Sequence, residues 1–297
     1  MKYPKLSVVI VTHNEGDTLA QTVEALTSTA PGAELVVVDD VSTDGSTDFL
    51  ARHEWRNARL VKPGRRLGVA TARNLGARHT AAPTLVFSDA HVRPEPGWAE
   101  ALRETLADPA IAVAGPGITD LAGTSTSVGY GFTWEDSTMT ASWLTDRPAA
   151  MSSVPFLCGC FVATRRPVFE GLGRFDEGLR TWGHEDAEYS LRAWLGGYRC
   201  VVAPGATVAH KFRSTFAYRV DPAAVLHNRL RTGVLHLSPL ALTRLLCDAR
   251  ADPAFPAAYQ MLLTSDVWHR RDLVRGRRGR SDQWFFDEFR IRGFGPD

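Results

Sequence analysis

Leu6-Ser7-Val8-Val9-Ile10-Val11 is a short β-branched run that breaks at His13-Asn14-Glu15, and Glu34-Leu35-Val36-Val37-Val38 is a second that ends in Asp39-Asp40. Ala58–Val61 is a third, weaker run, and Thr84-Leu85-Val86-Phe87 a fourth that leaves through Ser88-Asp89-Ala90-His91. The stretches between them, Gly16–Ser28, Ser46–His53 and Gly68–His79, each open on a residue suited to a helix cap and read as helices. Parallel strands need crossover connections, so this alternation predicts an α/β fold with a mostly parallel sheet covered by helices on both faces. Ligands of such sheets bind at the carboxyl ends of the strands, where Asn14-Glu15, Asp39-Asp40 and Asp89-His91 all fall.

Asp89 and His91, two residues apart at the end of a buried strand, can point at one cation, and His210 in Val208-Ala209-His210-Lys211-Phe212 would complete a three-ligand face. Mg2+ prefers oxygen ligands, so two imidazoles lean the expectation toward Mn2+, with the remaining positions open to diphosphate oxygens. Taken alone, Asp89-x-His91 is equally a turn cap beside a surface histidine.

With 297 residues and 44% apolar composition the chain can bury a large core, and one α/β domain over residues 1–220 followed by a helical extension over 221–297 is the economical division. With a net charge of +1, nothing in the balance asks for nucleic acid or an anionic membrane as a whole-surface partner, and none is expected. The local exception is the basic stretch 269–280, which reads as a solvated, mobile segment or as a contact for an acidic acceptor or lipid surface. Cys158, Cys160, Cys200 and Cys247 have neither disulfide nor zinc spacing and read as buried small apolar residues in a reduced compartment. No leader-like start or membrane-length apolar run is present in the sequence, which predicts a soluble, cytoplasmic protein.

Ser7-Val8-Val9-Ile10-Val11-Thr12-His13-Asn14-Glu15, Val36-Val37-Val38-Asp39-Asp40-Val41-Ser42-Thr43-Asp44-Gly45-Ser46-Thr47 and Gly68-Val69-Ala70-Thr71-Ala72-Arg73-Asn74 together resemble the GT-A glycosyltransferases of family 2, over about the first 220 residues. The resemblance implies a Rossmann-like sheet with a nucleotide-binding half, 1–112, and an acceptor or catalytic half, 113–220. Asp89-Ala90-His91 and Ala209-His210-Lys211-Phe212-Arg213 look closer still to polypeptide N-acetylgalactosaminyltransferases, and that likeness implies Mn2+, or Mg2+, on Asp89, His91 and His210. Those retaining enzymes carry Gly-Glu-Asn where this chain has His184-Glu185-Asp186.

A carboxylate that accepts from an imide N–H suits Asp39 to uracil, with Thr12 and Glu15 near the ribose. Asp40 either joins that site or holds the Ser42–Ser46 turn. Arg73 can reach the base or the diphosphate, and the resemblance sets it against the base; Arg65 and Arg66 read as solvated. Ala187, Leu191, Trp194 and Leu195 share a stripe at helical spacing before Gly196-Gly197, so Glu185 and Asp186 fall in the first turn of a helix. Acidic residues are common there because the helix dipole favours them. Trp182-Gly183, however, resembles the acceptor-side loop of inverting GT-A enzymes, which implies Asp186 as general base with Glu185, Trp182 and His184 around the acceptor.

The leading expectation is therefore an inverting, metal-dependent transfer from a UDP-sugar to a carbohydrate, peptide or small-molecule acceptor. A retaining peptide N-acetylhexosaminyltransferase and a non-catalytic nucleotide-sugar-binding module are the alternatives. Gly115–Val154 reads as a flexible stretch whose aromatics stack on a ligand or plug the core. Beyond residue 220, Pro222–Leu237, Pro239–Arg250 and Pro253–Val274 read as helices that complete the acceptor site or form a homodimer surface.

Overall fold

Alternate residues of each early strand pack to opposite sides of the sheet, so Val9, Val36, Val38, Leu85 and Phe87 enter one apolar cluster and Val8, Ile10, Leu35, Val37 and Val86 the other. A computed structural model of the chain describes residues 5–51, 55, 57–213 and 219–294. The chain runs through β1 (Leu6–Thr12), α1 (Thr18–Thr29), β2 (Glu34–Asp39), β3 (Ala58–Val61), α2 (Val69–Arg78), β4 (Thr84–Asp89), β5 (Val92–Pro94) and α3 (Trp98–Thr105). It continues through β6 (Ile111–Asp120), β7 (Phe132–Trp134), β8 (Ala141–Trp143), β9 (Ser152–Ser153), β10 (Phe161–Arg165), α4 (Arg166–Gly171), α5 (Glu185–Leu195) and β11 (Arg199–His210). Among the described residues five helices close it: α6 (Pro222–His236), α7 (Pro239–Ala249), α8 (Phe255–Leu263), α9 (Val267–Arg275) and α10 (Asp282–Phe289).

Among the described residues the main sheet has nine strands in the order β3-β2-β1-β4-β10-β6-β11-β5, with β9 beside β11. β1 to β4 are mutually parallel, and β11 runs parallel to β6. β10 lies antiparallel between β4 and β6, so β6 and β11 point the same way as β4. The carboxyl ends of β1, β2, β4 and β11 thus share one edge. β4 and β11 are separated by two strands, yet the chain leaving β4 turns through Ala90-His91 into β5, which pairs with β11 at Val92 and His210. That short strand carries His91 across the gap to His210.

Several expectations need correction. Ser46–His53 is not a full helix: a single 3-10 turn covers Asp48–Ala51, and residues 52–54 lie outside the described residues. Pro253–Val274 breaks at Thr264-Ser265-Asp266, where the Ser265 hydroxyl donates to Leu262 O at 2.7 Å and accepts from Val267 N at 3.3 Å, offering the backbone an alternative to the helix. Gly115–Val154 contains the β7–β8 hairpin, and its aromatics fill space: Phe132 stacks within 3.9 Å of Trp143, and Trp134 is buried against Phe156 and Phe285. Cys247 is exposed and Cys158 half-buried, so only Cys160 and Cys200 are the buried apolar residues expected.

The largest revision concerns 269–280. Its arginines turn inward onto backbone carbonyls: Arg271, Arg275 and Arg278 donate to Val234, Leu237 and His236, and Arg277 to Gly171 at 2.7 Å. The last carbonyls of a helix lack intrahelical partners, and guanidinium donors there also oppose its negative pole, so this cluster caps α6 and is not a free basic tail. The helices after residue 220 share the sheet's core, with Leu226, Leu230, Leu245, Leu262 and Phe285 in the same apolar cluster as Val9 and Phe87. No described helix is long and apolar enough to cross a membrane.

Candidate active site

Three ligand atoms of Asp89, His91 and His210 lie within 4.8 Å of one another. The Asp89 Oδ2 oxygen is 3.3 Å from His210 Nε2 and 3.9 Å from His91 Nε2, and the two rings are 4.9 Å apart. Enclosure opposes ionisation of Asp89, but His210, His91 and Arg73 outweigh it and hold the carboxyl well below the usual carboxylate range. One ionised oxygen and two convergent imidazole nitrogens form a donor set of the kind that suits a first-row divalent cation. The other ring nitrogen of His91 faces Glu15 Oε2 at 3.3 Å, which orients that imidazole as an outer carboxylate does in metal sites.

Glu15, expected near a ribose, is tied to His91 and to Arg213, whose Nη1 donates to it at 3.2 Å. Burial raises its pKa, but His91 and Arg213 more than offset this and lower it overall. Thr12 is buried at the end of β1, with no hydrogen-bond partner for its hydroxyl among the described residues.

Asp39 ends β2 and Asp40 follows it, and it is Asp39, not Asp40, that holds the Ser42–Ser46 turn. Asp39, 3% exposed, holds the following turn: it accepts from Ser42 N at 2.7 Å and Thr47 Oγ1 at 3.1 Å. Asp40 anchors the start of α2 by accepting from Leu67 N at 2.6 Å and Gly68 N at 3.0 Å. Gly68 has φ +80°, and a Cβ there would meet the Thr181 backbone at 2.9 Å, so this position requires glycine. Arg66, expected to be solvated, reaches His13 Nε2 at 2.5 Å and Asp40 Oδ2 at 3.7 Å.

Arg73, expected against a base or diphosphate, is 1% exposed and turned inward. It donates to Asp89 Oδ1 at 3.0 Å, Glu185 Oε1 at 3.1 Å and Gly159 O at 2.7 Å. The N–H of Gly159 in turn donates to Asp186 Oδ2 at 2.8 Å. One guanidinium and the backbone of one residue, Gly159, thereby join the Asp-His-His cluster to the first turn of α5. Gly159 escaped the sequence reading; its setting between two cysteines was the available signal, since a Cβ there would lie 3.0 Å from the Asp186 side chain.

Burial and the neighbouring Asp186 push the Glu185 carboxyl up to about 7 against the opposing pull of Arg73. Enclosure likewise raises Asp186, against the Gly159 and Ala187 N–H groups that donate to it. His184 precedes α5 with φ +70°; burial, with Arg229 adding, lowers its pKa to about 3 and leaves the imidazole neutral. Trp182 is 39% exposed on the same loop. Asn228 of α6, also missed in the sequence, holds that loop by donating to Arg180 O at 2.8 Å, Trp182 O at 3.1 Å and Gly183 O at 2.9 Å, and by accepting from Arg180 N at 2.7 Å.

Residues 7–173 match the family model described as glycosyl transferase family 2. Among curated proteins, the chain is 30% identical over 252 residues to polypeptide N-acetylgalactosaminyltransferase 15 of Homo sapiens, covering 77% of this chain and 39% of that protein. It is 31% identical over 228 residues to polypeptide N-acetylgalactosaminyltransferase 8 of Drosophila melanogaster, covering 71% and 39%. The chain thus spans about two fifths of the length of the curated relatives it matches. Among solved structures, GalNAc-T7 with UDP, GalNAc and Mn2+ superposes with a TM-score of 0.79 at 22% identity, over 97% of this chain and 57% of that one. TarS from S. aureus in complex with UDP-GlcNAc superposes with a TM-score of 0.63 at 15% identity, over 96% and 89%. These likenesses establish the GT-A fold.

Proposed function

Because the chain belongs to glycosyl transferase family 2, we propose that it moves a sugar from a UDP-sugar to an acceptor hydroxyl by an inverting displacement, with Asp89, His91 and His210 holding Mn2+ or Mg2+. The observation that carries this reading is the continuous frame from Asp89 through Arg73 and Gly159 to Asp186, which sets a cation-binding cluster and a carboxylate on one rigid support. The relatives named polypeptide N-acetylgalactosaminyltransferases, and the solved relative with UDP and Mn2+, support the donor and the cation.

The cation, when bound, neutralises charge that develops on the departing diphosphate. Asp186, half-exposed at the start of α5, takes the proton of the acceptor hydroxyl, while the more buried Glu185 keeps Arg73 in place. Trp182 and neutral His184 shape the acceptor side. Thr12 and Asp39 stand at the strand ends on the nucleotide side, Asp39 by shaping the turn that lines it.

NMR of the product made from an α-linked donor tests the reading: a β linkage is expected, and an α linkage overturns it. Asp186→Asn should lower kcat by about 10² to 10⁴ while leaving UDP affinity unchanged. Since Asp186 is raised above its ordinary 3.8, the acid limb of the kcat profile should lie above that value, with activity appearing as pH rises through it.

A retaining transfer is the second reading. Both Asp186 oxygens accept backbone N–H groups, at 2.8 Å each, which would make this carboxylate a bracket for the loop at Gly159. In that case Asp186→Asn would lower stability and leave the α product. UDP release from any UDP-sugar separates both readings from a module that only binds.

A further inference from the structure

A cavity of about 1050 Å3 opens between the first turn of α2, the loop of residues 173–181 and helices α6, α8 and α9. Its volume is that of a site for a sizeable small molecule. Asp89, His91, His210 and Asp186 are not among its lining residues. Thr181 is, and from there the chain passes through Trp182, Gly183 and His184 directly into the turn that carries Asp186. The carbonyl of Thr181 accepts from Val69 N at 2.9 Å, fixing this wall against α2.

Charge in the cavity is unbalanced once the internal partners are counted. Each carboxylate in its wall has an internal partner, a guanidinium for Asp176, Asp266 and Glu177 and only a backbone N–H for Asp221, whose single charge still leaves the two unpaired guanidinium groups in excess. Asp176 accepts from Arg231 at 2.6 and 3.0 Å, and Asp266 pairs with the same guanidinium at 2.8 Å. Glu177 accepts from Asn74 at 3.0 Å and Arg78 at 3.4 Å, and Asp221 caps α6 through Ala223 N at 3.0 Å. Arg174 is held by Glu170 at 2.5 Å, and Arg270 by Gly173 O at 3.0 Å. The guanidinium groups of Arg65 and Arg180 have neither a hydrogen bond nor an ion pair among the described residues. Guanidinium forks match carboxylate and phosphate oxygens in pairs, so a cavity that offers two of them without counter-ions selects an anion.

We propose that this cavity is an acceptor subsite that holds a negatively charged group, phosphate or carboxylate, carried by the acceptor at a distance from the hydroxyl that is attacked. The assignment rests on the transfer reaction proposed above. Arg65 and Arg180 grip the anion, and the Thr181–His184 wall leads the rest of the acceptor to Asp186.

The test uses the full chain with Mn2+ and UDP, titrated calorimetrically with glucose 1-phosphate, glucuronate and methyl glucoside. The two charged probes should bind about tenfold or more tightly than the neutral one, and Arg65→Ser/Arg180→Ser should remove that advantage, at the scale of one or two charge-assisted hydrogen bonds. UDP affinity of the double variant should equal the parent's, which also reports that it folds. Binding of one charged probe alone supports the subsite and identifies phosphate or carboxylate as its ligand. Equal binding of methyl glucoside, or charged probes that bind the double variant as they bind the parent, overturns it. In parallel, the charged probes should change the rate of UDP release from a UDP-sugar by the parent and not by the double variant. Anion binding without that effect overturns the acceptor role. A parent that never releases UDP overturns the transfer reaction itself, and the acceptor role falls with it.

Discussion

Arg73 shows how a side chain read for its charge also has partners within the protein. Its place on a helix after a glycine turn was legible in the sequence; that its donors face Asp89, Glu185 and Gly159 depends on β4, β10 and α5 meeting around it. The candidate Asp-His-His cluster was easier to see, because Asp89 and His91 are near neighbours at a strand end and His210 ends another strand. His210→Ala should weaken metal-dependent UDP binding by about ten- to a hundredfold, and titration with Mn2+ present and absent checks this; parent-like binding would remove His210 from the cation set. Glu188, fully buried, belongs to a different class of charge. Burial opposes its ionisation, but Arg192 at 2.6 Å and His236 at 2.8 Å hold it well below its ordinary 4.5. The folded carboxyl binds its proton less readily than the unfolded one, so the stabilisation is present above about pH 4.5 and is lost as pH falls below it. Glu188→Gln should cost about 3–5 kcal/mol at neutral pH by leaving Arg192 buried without its counter-ion, and should flatten the acid loss of stability in denaturant titrations; an unchanged slope below pH 4.5 would count against the pairing.

Among elements, α6 has the most consequences for the site. It starts on the Asp221 cap, ends under three arginines and presents Asn228 to the loop that precedes α5. The sequence showed it as a helical stretch opening on Pro222, as it showed α5 by its apolar stripe and the first four strands by their β-branched runs. The break between α8 and α9 was not visible, because Ser265 stops the helix through bonds that any serine can make or decline. The inward turn of the 269–280 arginines was equally hidden: charge predicts solvation unless unpaired carbonyls lie within reach, and those carbonyls belong to other elements. Asn228→Ala removes four hydrogen bonds to the 180–183 loop and should destabilise the protein by roughly 2–4 kcal/mol. Hydrogen exchange should then rise at residues 180–183 before it rises in the sheet. Uniform protection across that loop in the variant would show that α6 does not hold it.

At the scale of the whole molecule, the division at residue 220 marks a change in sequence character and not a change of core. Leu226, Leu230, Val234 and Phe285 share one apolar cluster with Val9, Val36 and Phe87. Calorimetry of the intact chain should therefore show a single unfolding transition, and a chain ending at residue 220 should lose cooperative unfolding because one face of its sheet is stripped of cover. Two separable transitions, or a stable 1–220 fragment, would make the extension an independent unit.

The strand β5 that carries His91 to His210 also sets a calendar for synthesis. Asp89 and His210 are 121 positions apart, and Arg73 and Glu185 are 112. A growing chain exposes Asp89 and His91 long before it contains the residue that closes their triangle. Through those 121 positions, about two fifths of the 297-residue chain, Asp89 and His91 stand without their third partner, and the triangle closes only when β11 has been made and laid beside β5.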